Sequence, residues 1–157
     1  MAQVKAPTGT LIAYSTAPDQ TAADFTQAIS LDPEDALSYG YRAKSYGDKG
    51  NRAQAIVDST KAIELDPSAA TPHFIRCDSY FFIHSYAQSI IDCSTAIKLY
   101  PGYEDAYYVR AGAYFKSSRY EDAIVDSTTV IRLNPQRGDA YLFVDLLTKI
   151  RGISKMQ

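Results

Sequence analysis

Apolar residues recur along this chain at helical spacing, and the pattern itself recurs. Ala22, Phe25, Ala28 and Ile29 fall on one helical face, and Leu31-Asp32-Pro33 closes that run. Residues 39–67, YGYRAKSYGDKGNRAQAIVDSTKAIELDP, predict two helices. Tyr39, Ala43 and Tyr46 form the seam of the first, and Gly47-Asp48-Lys49-Gly50 reads as the turn. Ala55, Ile56, Ser59, Ala62 and Ile63 form the apolar face of the second. This stretch returns after 34 residues and again after another 34. The closing signatures SLDP, ELDP, KLYP and RLNP put prolines at Pro33, Pro67, Pro101 and Pro135, a strict interval that marks a structural repeat.

The second unit carries His73, Cys77 and Tyr80 on its first seam, then Ser89, Ile90, Cys93, Ala96 and Ile97. The third carries Tyr107, Ala111 and Tyr114, then Ala123, Ile124, Ser127, Val130 and Ile131. The unit Y-x-x-R-[AC]-x-[SA]-Y followed by A-I-x-D-S-T-x-A-I-x-L-x-P resembles the tetratricopeptide repeat (TPR). The resemblance implies an all-α fold, a right-handed superhelical array of antiparallel helix pairs. Its expected parts are a half repeat at 19–35, full repeats at 36–69, 70–103 and 104–137, and a capping helix at 138–152. Gly152 is expected to end that helix and 153–157 to be a loose tail. Phe25, where later units hold Ser59, Cys93 and Ser127, is large enough to cover space left by the first helix that the half repeat lacks.

Residues 1–18 do not follow the repeat. Pro7, Gly9 and Pro18 punctuate them, and residues 10–14 have strand character. The string APTGTLIAYSTAP at residues 6–18 resembles a late strand of the caspase-like cysteine peptidase domains found in many bacterial proteins. That resemblance implies a stub of such a domain, descended from or excised out of a peptidase–repeat fusion, whose catalytic His and Cys would lie upstream of this strand; it does not imply activity.

Composition narrows the partner. A formal charge of -2 with dispersed basic residues gives no nucleic-acid footprint. No apolar run reaches the roughly 20 residues that span a bilayer, and no signal pattern opens the chain, so the expectation is a soluble, cytoplasmic protein. Cys77 and Cys93 stand where neighbouring units have Ala or Ser and read as buried small residues, with a redox pair or nucleophile as the alternative. His73 takes the place of Tyr39 and Tyr107 and reads as a seam packer; His84 falls in a turn. No metal or cofactor site is expected.

Each full unit pairs an arginine with an aspartate 16 residues later: Arg42 and Asp58, Arg76 and Asp92, Arg110 and Asp126. They read as structural pairs that join the two helices of one unit, with ligand recognition and pairing between successive units as the alternatives.

In tetratricopeptide arrays the first helices line a concave groove. By resemblance the groove positions are Gly40, Tyr41, Lys44, Gly47 and Asp48; Phe74, Ile75, Asp78, Phe81 and Phe82; Tyr108, Val109, Gly112, Phe115 and Lys116; and Leu142, Phe143 and Leu146. The seam has its own tyrosines, so residues 73–83 form a helix apolar almost all round, which must be covered on both sides. Either a partner covers it or the chain does, for instance with Leu11, Ile12 and Tyr14 of the stub. The clamp by which some TPR proteins hold the EEVD-type tails of heat-shock chaperones is not expected. Its positions here hold Gly40, Lys44, Ile75, Asp105 and Val109, of which one is basic. The expected function is a non-catalytic scaffold that binds an apolar helix or peptide. The alternatives are the regulatory or relic tail of a caspase-like peptidase, or a self-associating structural subunit.

Overall fold

The computed structural model describes residues 3–5, 11–13 and 18–154. Eight helices follow one another among them: α1 (Pro18–Leu31), α2 (Ala36–Asp48), α3 (Arg52–Leu65), α4 (Ala70–Phe82), α5 (Tyr86–Leu99), α6 (Glu104–Lys116), α7 (Tyr120–Leu133) and α8 (Gly138–Ser154). Ahead of them Gln3–Lys5 (β1) pairs antiparallel with Leu11–Ala13 (β2), Val4 opposite Ile12. Each helix packs on the next, and α4 also meets α2 and α6. The first helices α2, α4 and α6 therefore stand side by side in one layer, and α3 and α5 each pack against the two first helices that flank them, on a second layer.

Small residues set the spacing of these layers. Ala43, Ala55, Ala62, Cys77, Cys93, Ala96, Ala111 and Ala123 are wholly buried, so adding even a methylene at these contacts would overpack them. The half repeat is closed as its sequence suggests: Phe25 is buried and stacks on Tyr41 at 5.2 Å between ring centroids. At the other end α8 inserts Ala140 and Leu147, both fully buried, and covers the face that α7 leaves.

The turns differ from the sequence expectation. Gly47 and Asp48 are helical, and the first turn is confined to Lys49, Gly50 and Asn51. There the Asn51 amide donates to the Tyr46 carbonyl at 2.8 Å and the Gly50 amide to the Gly47 carbonyl at 2.9 Å, a Schellman cap with Gly50 at φ 79. The same two bonds recur at the next turns, from Ser85 to Tyr80 and His84 to Phe81, and from Arg119 to Tyr114 and Ser118 to Phe115. His84 (φ 64) and Ser118 (φ 59) thus hold a left-handed backbone that glycine adopts without strain. Second helices stop where proline follows, and the polar residue before it makes the next bend. Asp32, Asp66 and Asn134 each accept the amide two residues on, at 3.1, 2.9 and 3.1 Å. Gly152 does not end α8, which continues to Ser154; an exposed glycine near a helix end costs only about 1 kcal/mol, too little to stop it.

One network ties the layers together. Arg42, Arg76 and Arg110 each grip the aspartate of their own unit through Nε and Nη2: Asp58 at 2.6 and 2.8 Å, Asp92 at 2.6 and 2.8 Å, Asp126 at 2.7 and 2.8 Å. The pairing lies within each unit. The third nitrogen, Nη1, reaches back to the preceding unit and donates to Thr26, Thr60 or Ser94 at 3.0, 3.0 and 2.8 Å. Those hydroxyls pass their own protons to carbonyls four residues earlier. One guanidinium therefore bridges three helices. Val144 takes the arginine's place in α8, so the last interface has no such bridge.

Two outcomes follow from these features. Ser118→Gly should raise stability by about 0.5–1 kcal/mol, because relief of the left-handed strain outweighs the extra chain entropy of glycine, and Gly50→Ala should lower it by about 1 kcal/mol. Urea melts of both variants check this, and a destabilised Ser118→Gly would refute it. Arg76→Met should cost about 3–5 kcal/mol by stranding buried Asp92, while Arg76→Met/Asp92→Leu should cost clearly less. Equal losses in single and double variants would show that the stranded charge is not the cause.

Candidate functional site

The first helices α4, α6 and α8 enclose a cavity of about 500 Å3. Its walls are Phe74, Phe81 and Phe82 from α4, Tyr108, Val109 and Phe115 from α6, and Phe143 from α8. Gly112 forms part of the floor: a Cβ there would lie 3.1 Å from the Phe81 ring, so the missing side chain lets Phe81 cross onto α6. The aromatic rings meet edge to face, Phe81 with Phe82 at 5.8 Å and Phe115 with Phe143 at 5.6 Å. The lining is mainly aromatic and aliphatic, with Asp78, Asp105, Lys116 and Arg137 as its charged members.

Polar groups stand at defined points of the lining. Asp78 pairs with Arg52 at 2.9 Å, and the Arg52 guanidinium also lies over the Phe82 ring, 4.0 Å from its centroid. Burial pushes the Asp78 carboxyl above the usual carboxylate range; Arg52 opposes this, and the charges of Asp105 and Asp48 add to it. Arg137, in the turn before α8, lies 3.9 Å over Tyr108 and binds Glu104 at 2.7 Å, Asp105 at 2.9 Å and Asp139 at 3.4 Å. Lys116 lines the far end of α6, near the Phe115 ring.

The expected groove residues divide among three hollows. Phe74, Asp78, Phe81, Phe82, Tyr108, Val109, Phe115 and Phe143 come together in the main cavity. Tyr41, Lys44 and Ile75 line a separate hollow of about 180 Å3 between α2 and α4. A third, of about 130 Å3, shares Lys44 and Ile75 with it and Phe74 and Asp78 with the main cavity, so it lies between the two. Ile75 is nevertheless a core residue, 8% exposed and packed with Ala43 and Ala55, and Gly40 and Gly47 are buried. Lys44 is engaged by Asp48 at 2.7 Å. Leu142 is 74% exposed and lines none of the three. Arg52 and Arg137 line these hollows as well, although the repeat pattern does not point to either. The missed signal for Arg137 is the stacking of helix starts, which brings it beside Glu104 and Asp105 from the adjacent unit. The suggestion that Leu11, Ile12 and Tyr14 fill the groove concerns side chains outside the described residues.

The cysteines require a correction. Cys77 and Cys93 are joined in a disulfide, their Cα atoms 5.3 Å apart, rather than lying as independent buried thiols. The burial half of the expectation holds, since both are 0% exposed. The repeat explains the bond: the seam brings positions 43 and 59, 77 and 93, or 111 and 127 face to face, and only the middle unit has sulfur at both. His73 is buried, with Nδ1 3.7 Å from the Asp92 carboxylate and outside hydrogen-bond reach. Among the described residues no three His, Cys, Asp or Glu side chains group as metal ligands.

A layered array of helix pairs with a groove along its first helices defines a helical-repeat binding fold. Comparison with known families matches the tetratricopeptide repeat at residues 37–68 and 104–137, so TPR units are present in this chain. No curated protein matches it. The crystal structure of MamA is similar over 86% of this chain and 79% of its own, with 25% identity and a TM-score of 0.81. The first TPR of Spaghetti, bound to the HSP90 peptide SRMEEVD, is similar over 74% of this chain and 95% of its own, with 26% identity and a TM-score of 0.71. MamA from Desulfovibrio magneticus RS-1, at 14% identity and a TM-score of 0.81 over 90% of this chain and 80% of its own, shares the fold. The fold is a TPR-like helical repeat array. None of these matches supports the peptidase resemblance of residues 6–18. Among the described residues no helix is long and apolar enough to cross a membrane.

The disulfide closes a loop with a sequence separation of 16, which corresponds to about 3 kcal/mol of chain-entropy stabilisation. Reduction should therefore lower the urea midpoint of the wild type and leave that of Cys77→Ala/Cys93→Ser unchanged. Thiol titration of the denatured, unreduced protein should find no free thiol, and two free thiols would contradict the bond.

Proposed function

We propose that this chain is a non-catalytic protein-interaction scaffold that takes an apolar helix or peptide into the groove of its first helices. The observation that carries the reading is the cavity of about 500 Å3 walled by seven aromatic and aliphatic side chains from α4, α6 and α8. Phe82 stands 54% exposed at its rim, although burying a phenylalanine is worth about 1.5–3 kcal/mol. Arg52 and Phe81 cover part of the ring; a partner that covers the rest gains burial that the folded chain alone does not supply. The TPR of Spaghetti, similar in fold and peptide-bound, supports a peptide as the type of ligand. It does not extend to the chemistry of that peptide. An EEVD tail would bring carboxylates toward Asp78 and Asp105, where like charges repel, so this groove suits a ligand without them.

Affinity capture with the wild-type chain against Phe82→Glu provides the test. The exposed position and the nearby Arg52 allow the substitution without loss of helicity, which circular dichroism would verify. A partner captured by the wild type should bind the variant at least about tenfold more weakly. Unchanged capture would place the interaction elsewhere.

A further inference from the structure

We propose that the occupant of the groove is a basic amphipathic helix, its apolar residues in the aromatic cavity and its lysine or arginine directed at Asp78 and Asp105. This rests on the groove being the binding site and adds the charge of the partner. The argument begins with the charge inventory around the cavity. Arg52 is matched by Asp78, one cation to one carboxylate. Arg137 is shared by Glu104, Asp105 and Asp139, one guanidinium to three carboxylates; Asp105 lines the cavity and the other two flank Arg137 outside the lining, so the surplus of two negative charges sits at the cavity's edge. Those carboxylates lie in the first turns of α6 and α8, whose N-terminal dipoles offset about half a charge each. About one unit of negative charge remains at that end. The lining's remaining cation, Lys116, stands at the opposite end of α6, about 16 Å along the helix from Asp105.

Asp78 sharpens the bias. It lines the cavity, and burial, together with the charges of Asp105 and Asp48, disfavours its ionised form despite Arg52. A ligand that excludes water from the cavity raises that cost further, unless it brings a cation of its own. A lysine or arginine on the ligand relieves both this carboxylate and the surplus beside Arg137. An acidic residue at the same place adds a fourth carboxylate to the cluster. The apolar walls then accept side chains at i, i+4 and i+7 of the same helix.

Two fluorescein-labelled, capped helical peptides test this. Both carry leucine and phenylalanine anchors at i, i+4 and i+7, and they differ only in lysine against glutamate at the polar positions. Titration by anisotropy at low salt should show the lysine peptide bound at least about tenfold more tightly, with the preference shrinking as salt is added. Asp78→Asn/Asp105→Asn, checked for helicity, should abolish most of that preference. Equal affinity for both peptides, with both weakened by Phe82→Glu, would overturn the charge inference and leave the groove in place. A lysine preference that persists in the double asparagine variant would also overturn it. Binding of both peptides that is indifferent to Phe82→Glu, or no binding of either, would defeat the groove reading itself.

Discussion

Each interface from α1 to α7 depends on a guanidinium that satisfies two neighbours at once. Asp58, Asp92 and Asp126 are almost wholly buried, and an ionised carboxylate in that position is tolerable only when a cation meets both oxygens. Arginine does so with two nitrogens and keeps a third for the hydroxyl of the preceding unit. A lysine could not hold this fork, because it offers a point charge without planar geometry. The bridge sets the angle within a pair and the register between pairs together. Arg76 and Arg110, two of these bridges, stand on α4 and α6, the helices that supply six of the cavity's seven apolar walls.

The fold was largely legible in the sequence because a repeat multiplies weak signals. One helical face is ambiguous, but faces returning every 34 residues, closed each time by a proline, are not. The Arg–Asp spacing of 16 was equally visible, though the third contact to Thr26, Thr60 and Ser94 was not, since hydroxyls in helices ordinarily bond their own backbone. The turn was placed two residues early. Two glycines near a helix end look alike in sequence, and only the left-handed one, Gly50, terminates the helix. The small residues that neighbouring units hold at the places of Cys77 and Cys93 indicate burial but say nothing of bonding, so the sequence favours buried thiols over the pair that the structure joins.

The candidate site was legible in part, and the boundary has a physical basis. Aromatic residues beyond the needs of the seam pointed to Phe74, Phe81, Phe82 and Phe115, and these do line one cavity. Ile75 was counted with them because repeat position alone does not separate a residue at the groove's edge from one turned into the contact between α2 and α4. Arg52 and Arg137 come from turns and helix starts, where side-chain direction depends on the packing of adjacent units. Their contribution to the lining appears only once those units are stacked.

Val144, which replaces the bridging arginine in the last first helix, bears on how the cavity works. In an array where each helix is held by its nearest neighbours, the free energy of local opening is set interface by interface. The walls on α4 and α6 are locked by Arg76 and Arg110, whereas α8 docks through Ala140 and Leu147 without that lock. Phe143 therefore rides on a wall pinned to α6 at its start, where Arg137 meets Glu104 and Asp105, but lacking the bridge that α4 and α6 carry at mid-helix. Two sides of the groove are thus fastened at their middle and the third at one end, so the array's buried-charge bridges stop one helix short of the cavity's far wall.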